Sequence, residues 1–226
     1  MKERSKRYNE SLKQADKEKT YGLKDAIVCL KKMSAVKFDS SVDLHFHLLV
    51  DSKKSDQMVR GTVIVPHGTG KKVRVAVFCR GEHDKAARSV NADYVGGLEL
   101  IEKVAGGFLD FDCAIATPEM MKDLSKLGKI LGPRGLMPSP KTGTVTNDIL
   151  KAIEDVKKGK VEFRVDKQGG VHLSVGKLSF SEDKLYDNAS RVIDALNEAK
   201  PASVKGKFIH SLSIASSMSP GLRLAV

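Results

Sequence analysis

The sequence contains no tryptophan and only 5% of its 226 residues are aromatic, so a row of rings on which successive bases could stack is missing. A nucleic-acid binder of this composition would have to work through shape and backbone contacts. Cysteine is equally scarce. Cys29, Cys79 and Cys113 lie far apart, each in an apolar segment, with no CxxC pair and no zinc-ligand spacing. They read as buried free thiols in a reducing, cytoplasmic setting. No apolar run approaches membrane-spanning length, and the first residues alternate Lys, Arg and Glu without the apolar stretch of a signal peptide, so no membrane partner is expected.

The motifs of catalysis are missing too. Lysine follows glycine at Lys71, Lys129, Lys160, Lys177 and Lys207, but serine or threonine never follows that lysine, so there is no Walker phosphate loop. Neither GxGxxG nor GxSxG occurs, and no cysteine is paired with a motif-bound histidine. The nearest decoy is Gly68-Thr69-Gly70-Lys71-Lys72. A strand rather than a helix follows it, so no helix N-terminus would face a phosphate, and it reads as a hinge loop. Neither cofactor nor metal is expected. A small α/β enzyme acting on an anionic or nucleotide substrate is the alternative reading, and the missing phosphate motifs speak against it.

What the chain does have is positive charge. Lys plus Arg number 39 against 28 for Asp plus Glu, a formal net charge of +11, which points to a nucleic acid or another anionic surface. The densest statement of it runs from Leu127 to Lys141. Gly128, Gly132 and Gly135 allow a close backbone approach, Pro133, Pro138 and Pro140 stiffen the path, and no carboxylate lies between Asp123 and Asp148. Lys126, Lys129, Arg134 and Lys141 therefore read as uncompensated cations facing a polyanion. The bland alternative is a helix-to-strand connection whose lysines are merely solvated.

Residues 1–20 are polar and charged, and read as an arm that is mobile or loosely helical. Leu23, Ala26, Ile27, Leu30 and Met33 then recur at helical spacing, and Val42, Leu44, Phe46 and Leu48 alternate with Asp43, His45 and His47 as in a strand with one buried face. His45 and His47 could hold a metal at i, i+2, but no third ligand supports it and a solvated strand face is preferred. From Gly68 to Gly159 the pattern becomes βαβ. Strands are expected at Val73 to Phe78, Asp93 to Val95 and Cys113 to Ala116, and helices at Glu82 to Val90, Leu98 to Val104 and Glu119 to Leu131. Asn147 is expected to cap a closing helix that runs to Lys157. Past Gly159, Val161 to Val165 and Val171 to Val175 read as a hairpin, Glu182 to Ala199 as a helix and Phe208 to Ile214 as a strand. Neither chain end carries enough elements for its own core. The expected fold is thus mixed α/β and α+β: a split outer α+β domain (residues 1–67 and 160–226) interrupted by an inserted inner Rossmann-like βαβ domain (68–159), with hinges near Pro66 to Gly70 and Lys157 to Lys160.

Several blocks, in order, are similar to those of the large-ribosomal-subunit protein one family: Lys37-Phe38-Asp39, Asp56 to Thr62 leading to Pro66-His67-Gly68, Ala92 to Gly97, Phe111 to Pro118 and Lys126 to Lys141. The resemblance covers nearly the whole chain and is of bacterial type. It implies a non-enzymatic protein that binds large-subunit rRNA, forms the mobile stalk beside the tRNA exit site, and helps deacylated tRNA leave. It also implies repression of the protein's own operon through an mRNA leader that mimics the rRNA site. Carried onto this sequence, the primary RNA contacts would be Lys37, Phe38, Ser41, Lys205, Ser211, Ser217, Met218 and Ser219. Lys126, Lys129, Arg134 and Lys141 would form a secondary contact to rRNA or tRNA, with other ribosomal components as neighbours. Two positions depart from the family: Ser217 stands for the usual threonine and Ser219 for the usual glycine. Without the resemblance, Phe38 reads as readily as a core aromatic at a strand start, and Met218 as core.

Overall fold

The computed structural model describes residues 5–16, 19–33, 36–51, 54–80, 84, 87, 90, 92–204 and 206–225. Along the chain these form α1 (Lys6–Gln14), β1 (Thr20–Tyr21), α2 (Leu23–Lys32), β2 (Ser41–Leu48), β3 (Arg60–Ile64), β4 (Val75–Phe78), β5 (Tyr94–Gly96), α3 (Leu98–Ala105), β6 (Cys113–Ala116), α4 (Ile149–Lys158), β7 (Lys160–Arg164), β8 (Gly170–Lys177), α5 (Glu182–Glu198), β9 (Ile209–Ser216) and β10 (Leu222–Leu224). They separate into two compact units, one made of Met1–Gly70 with Val161–Val226 and the other of Lys71–Lys160.

The first unit is built on a five-stranded sheet in the order β1-β10-β9-β2-β8. Its central strand β2 runs antiparallel to both β9 and β8. The alternation read from the sequence decides which way it faces: Val42, Leu44, Phe46 and Leu48 are buried against α2 and α5, and Asp43, His45 and His47 point away from that core. α5 starts at Ser181, whose hydroxyl accepts the Lys184 N–H, and Glu182 and Asp183 suit the positive end of its dipole. Within its apolar stripe sits a fully buried Asn188. Its Oδ1 accepts from the His67 N–H at 3.0 Å, and its Nδ2 donates to the carbonyls of Gly68 at 3.0 Å and Val175 at 2.7 Å. These bonds fasten the segment leaving β3 to α5 and β8.

The second unit has a parallel three-stranded sheet in the order β5-β4-β6. β4 is buried along its whole length because it is covered on both faces, so it reads as an unbroken apolar run. Ala76 and Phe78 pack with Leu100, Val104, Leu124 and Leu131, while Val75 and Val77 pack with Ile115, Ile149 and Ile153.

Several expectations need correction. Residues 6–14 are helical, with Ser5 accepting from the Tyr8 N–H and Ser11 and Ala15 buried. The strands on either side of Asp166–Gly170 do not pair with each other: β7 pairs with β3, and β8 with β2. The turn between them closes locally instead, since the Asp166 carboxylate accepts from the N–H groups of Gln168 at 2.8 Å and Gly170 at 2.7 Å. Those bonds hold the Asp166 carboxyl below the usual carboxylate range. The expected helix Glu119 to Leu131 is helical but not one regular α-helix: Met121–Leu124 and Gly128–Leu131 are α-helical, Pro118–Met120 and Ser125–Leu127 are 3-10 turns, and the Ser125 hydroxyl bonds back to the Met121 carbonyl at 2.7 Å. The cap of α4 is Asp148, accepting from the Lys151 N–H, rather than Asn147. Most of the helix expected at Glu82 to Val90 lies outside the described residues. Among the described residues none of the three cysteines forms a disulfide, and only Cys79 is fully buried; Cys29 and Cys113 are half-buried. Cys29 sits beneath the end of α1 with its Sγ against the Gln14 carbonyl, and burial raises its pKa.

Candidate nucleic-acid interface

The two ends of the first unit meet at the edge where β2 begins and β9 finishes. Ser41 donates its N–H to the Ser217 hydroxyl at 3.2 Å, and Ser217 returns its own N–H to the Ser41 carbonyl at 3.1 Å. A third segment joins from the turn after β8. Lys177 Nζ donates to the Ser41 hydroxyl at 2.9 Å, the Leu178 N–H donates to the Ser40 carbonyl at 2.9 Å, and Asp39 accepts both the Ser179 N–H at 3.1 Å and its hydroxyl at 2.8 Å. The segment from Asp39 to Ser41 is thereby tied on two sides. Phe38, just before it, is left 51% exposed, and Met218, just after Ser217, 50% exposed. Neither is core. Lys37 beside them is exposed as well.

Ser219 closes the turn after β9. Its N–H donates to the Ser216 carbonyl at 3.1 Å, and its hydroxyl accepts the Ser216 N–H at 2.9 Å. The second bond is one that a glycine could not make, so serine here fastens the turn through its side chain.

Ser211 belongs to a different part of the same sheet. It lies opposite His47 on the open face, about 20 Å along the strand from Ser217 at the usual rise per residue. Around it is a groove of about 340 Å³ lined by His45, His47, Asp166, His172 and Ser213 among others. His45 Nδ1 is 2.9 Å from His172 Nδ1 across β2 and β8, and His47 stacks edge-on with His210. Burial and then the neighbouring His172 hold the His45 pKa below the ordinary value. Among the described residues no group of three or more His, Cys, Asp or Glu could hold a metal ion. Lys205 lies outside the described residues.

The basic loop is in the second unit. Lys129, Arg134 and Lys141 are exposed and form no ion pair among the described residues. Lys126 is corrected: its Nζ pairs with Asp123 Oδ1 at 3.1 Å, one turn back, and Asp123 also accepts from Arg80 Nη2 at 3.1 Å. The path is sharply bent. The Gly132 N–H donates to the Gly128 carbonyl, a Cβ at Gly132 would come within 2.6 Å of that oxygen, and Gly135 adopts φ +70°. Thr142 and Thr144 fasten the far side, with the Ser139 N–H donating to Thr144 Oγ1 at 2.8 Å.

Local reading of the sequence missed Lys177 and Ser179, whose partners lie far along the chain, and Lys31, which lines a cavity with Phe38 and Ser179. It also missed Arg7, which α1 brings to a small cleft beside Met218 and Ser219.

The split first unit, the inserted parallel-sheet unit and the exposed basic loop define a basic two-unit α/β protein. The model of the ribosomal protein L1p/L10e family matches residues 30–220, and the chain belongs to that family. It is 52% identical over 225 residues to the large ribosomal subunit protein uL1 of Fervidobacterium nodosum, covering 99% of this chain and 96% of that protein. It is also 50% identical over 221 residues to the protein of the same name from onion yellows phytoplasma, covering 98% and 96% of the two chains.

Proposed function

We propose that the protein is a structural constituent of the large ribosomal subunit that grips large-subunit rRNA with its first unit, forms part of the mobile stalk and assists release of deacylated tRNA from the exit site. The observation that carries this reading is the reciprocal pair of hydrogen bonds between Ser41 and Ser217. It joins the two chain ends into one pre-formed surface, with Phe38 and Met218 exposed on either side of it. Lys37, Phe38, Ser41, Lys205, Ser211, Ser217, Met218 and Ser219 are the proposed primary contacts, where a cation meets phosphate, apolar side chains cover ribose and base, and hydroxyls bond the RNA backbone. Lys126, Lys129, Arg134 and Lys141 are the proposed secondary contact to rRNA or tRNA. Binding to a leader of its own operon mRNA, and so repression of translation, follows if that leader copies the rRNA shape. Among the described residues no helix is long and apolar enough to cross a membrane, and the proposed location is the cytoplasm, on the ribosome.

Footprinting on large-subunit rRNA tests the reading. A single protected region, lost when Phe38 and Met218 are both replaced by alanine, is the expected result. Competition by the mRNA leader for that region tests the regulatory part. Diffuse protection that disappears with salt and ignores both substitutions would leave only non-specific attraction.

A further inference from the structure

Beside the proposed RNA surface is a cavity of about 450 Å³ lined by Lys31, Phe38, Asp39, Ser40, Leu178 and Ser179. Its volume is in the range of small-ligand pockets. One of its lining groups is anomalous. Ser40 is 1% exposed, and its hydroxyl has no hydrogen-bond partner among the described residues, although its carbonyl accepts the Leu178 N–H. A buried hydroxyl without a partner destabilises a fold, so an orphan on the wall of a cavity marks a place where a guest can supply the missing bond.

The other walls say what the guest is. Phe38 and Leu178 offer apolar surface, and the Phe38 ring is half exposed. Lys31 supplies a cation, while the Asp39 carboxylate, already accepting two bonds from Ser179, supplies negative charge and further acceptor capacity. A bare phosphate would sit beside that carboxylate and leave the apolar walls wet. A planar group with polar N–H edges, attached to a phosphate outside, satisfies every wall. We infer that this cavity receives the base of one unpaired nucleotide, extruded from the bound RNA onto the Phe38 ring, with its edge on Ser40 and Asp39 and its phosphate near Lys31. The inference rests on the reading that this surface grips rRNA, and adds to it a pocket that reads a single nucleotide.

Two measurements test it. In the first, the four nucleoside monophosphates and ribose 5-phosphate are titrated into the full chain while the amide resonances of Ser40, Leu178 and Ser179 are followed. The nucleotides are expected to shift them, and ribose 5-phosphate is not. Equal shifts from ribose 5-phosphate would reduce the cavity to an anion site, and no shift from any nucleotide would end the proposal. In the second, Ser40→Ala is compared with the wild type for rRNA affinity and thermal stability. Removing an orphan hydroxyl should leave the melting temperature unchanged or raise it, while rRNA binding weakens about fivefold. A drop in melting temperature would show that the hydroxyl serves the fold, and unchanged affinity would remove the pocket while the rRNA reading stands. If the wild type itself failed to bind rRNA, that reading would fall, and the nucleotide titration would still decide the cavity.

Discussion

In the first unit the polar groups of the candidate surface bind one another; in the second, the cations of the basic loop mostly face water. Ser41, Ser217, Lys177, Asp39, Ser179, Ser216 and Ser219 are joined by hydrogen bonds that exist before any ligand arrives, and they hold Phe38 and Met218 outward. Lys129, Arg134 and Lys141 have no such partners among the described residues, and the glycine-bent path between them shapes the backbone without fixing their side chains. A pre-ordered surface loses little conformational entropy on binding and can discriminate shape. Free lysines attract any polyanion, and salt weakens them. The comparison therefore predicts that specificity and affinity for folded RNA reside in the first unit, and that the second contributes salt-sensitive attraction.

The largest effect should come from removing the frame beneath the first surface. Asn188→Ala leaves the buried Val175 carbonyl, and the part-buried Gly68 carbonyl and His67 N–H, without their partner, a loss on the order of 2–3 kcal/mol. Denaturant titration should show this, with amide exchange accelerated in β2, β8 and β9. If exchange in β4 and β6 accelerates just as much, the two regions are not separately supported. Next is Phe38→Ala. Because the ring is 51% exposed, the melting temperature should barely move, while rRNA affinity falls by about 1–3 kcal/mol with an unchanged salt slope. The neighbouring Lys37→Ala should instead lower the salt slope by about 0.7–0.9 units. A folded Phe38→Ala protein with full affinity would put the grip elsewhere.

Ser217→Val is smaller and more revealing. Its hydroxyl already accepts the Ser41 N–H, so valine removes an internal partner and an RNA partner together. Stability and affinity should both fall, each by about 1 kcal/mol, and Ser217→Thr should restore both. Loss of affinity alone would mean that the bond to Ser41 carries no weight. For the second surface, replacing Lys129, Arg134 and Lys141 by glutamine should spare affinity for the isolated rRNA site at physiological salt. The same change should flatten the salt dependence of non-specific RNA binding by up to about 2–3 units. A collapse of specific binding would reverse the assignment of roles.

What could be read in advance follows a physical division. The buried face of β2 was legible because Val42, Leu44, Phe46 and Leu48 alternate strictly, and a one-residue slip would expose them all. β4 was legible as a short apolar run bounded by turns. The misassigned hairpin shows the limit: Val161 to Val165 and Val171 to Val175 have strand grammar, but partner choice was settled by β3 and β2, about a hundred residues away or more, and no local pattern records that. α4 was found but its cap was not, since Asn147 and Asp148 are both good capping residues and only geometry chose between them. The surface residues divide likewise. Phe38 and Met218 could be suspected from the family resemblance, but their exposure depends on bonds to Ser179 and Ser41 that a linear reading cannot see. That Lys177 bonds Ser41, and that the Ser40 hydroxyl has no partner among the described residues, no local pattern records.

The smallest predicted effect concerns the open face around Ser211, which belongs to the first unit yet carries latent charge like the second. His45 is held below the ordinary histidine pKa, first by burial, then by His172 across the strand pair, with Asp43 opposing. The folded state therefore binds its proton less readily than the unfolded state does. Such a group costs nothing while both states are neutral. Its cost appears as pH falls below the unfolded value, about 6.5, and is complete once pH is below the folded value. Between about pH 7 and about pH 5.5 the wild type should thus lose slightly more stability than His45→Asn, the difference growing toward acid. RNA binding should move the other way, because the proton that His45 takes up toward acid adds positive charge to the face that carries Ser211, and salt should remove that gain. Affinity that stays flat over this range, with the stability difference still present, would place the RNA at the Phe38 end of the sheet alone and take Ser211 out of the contact surface.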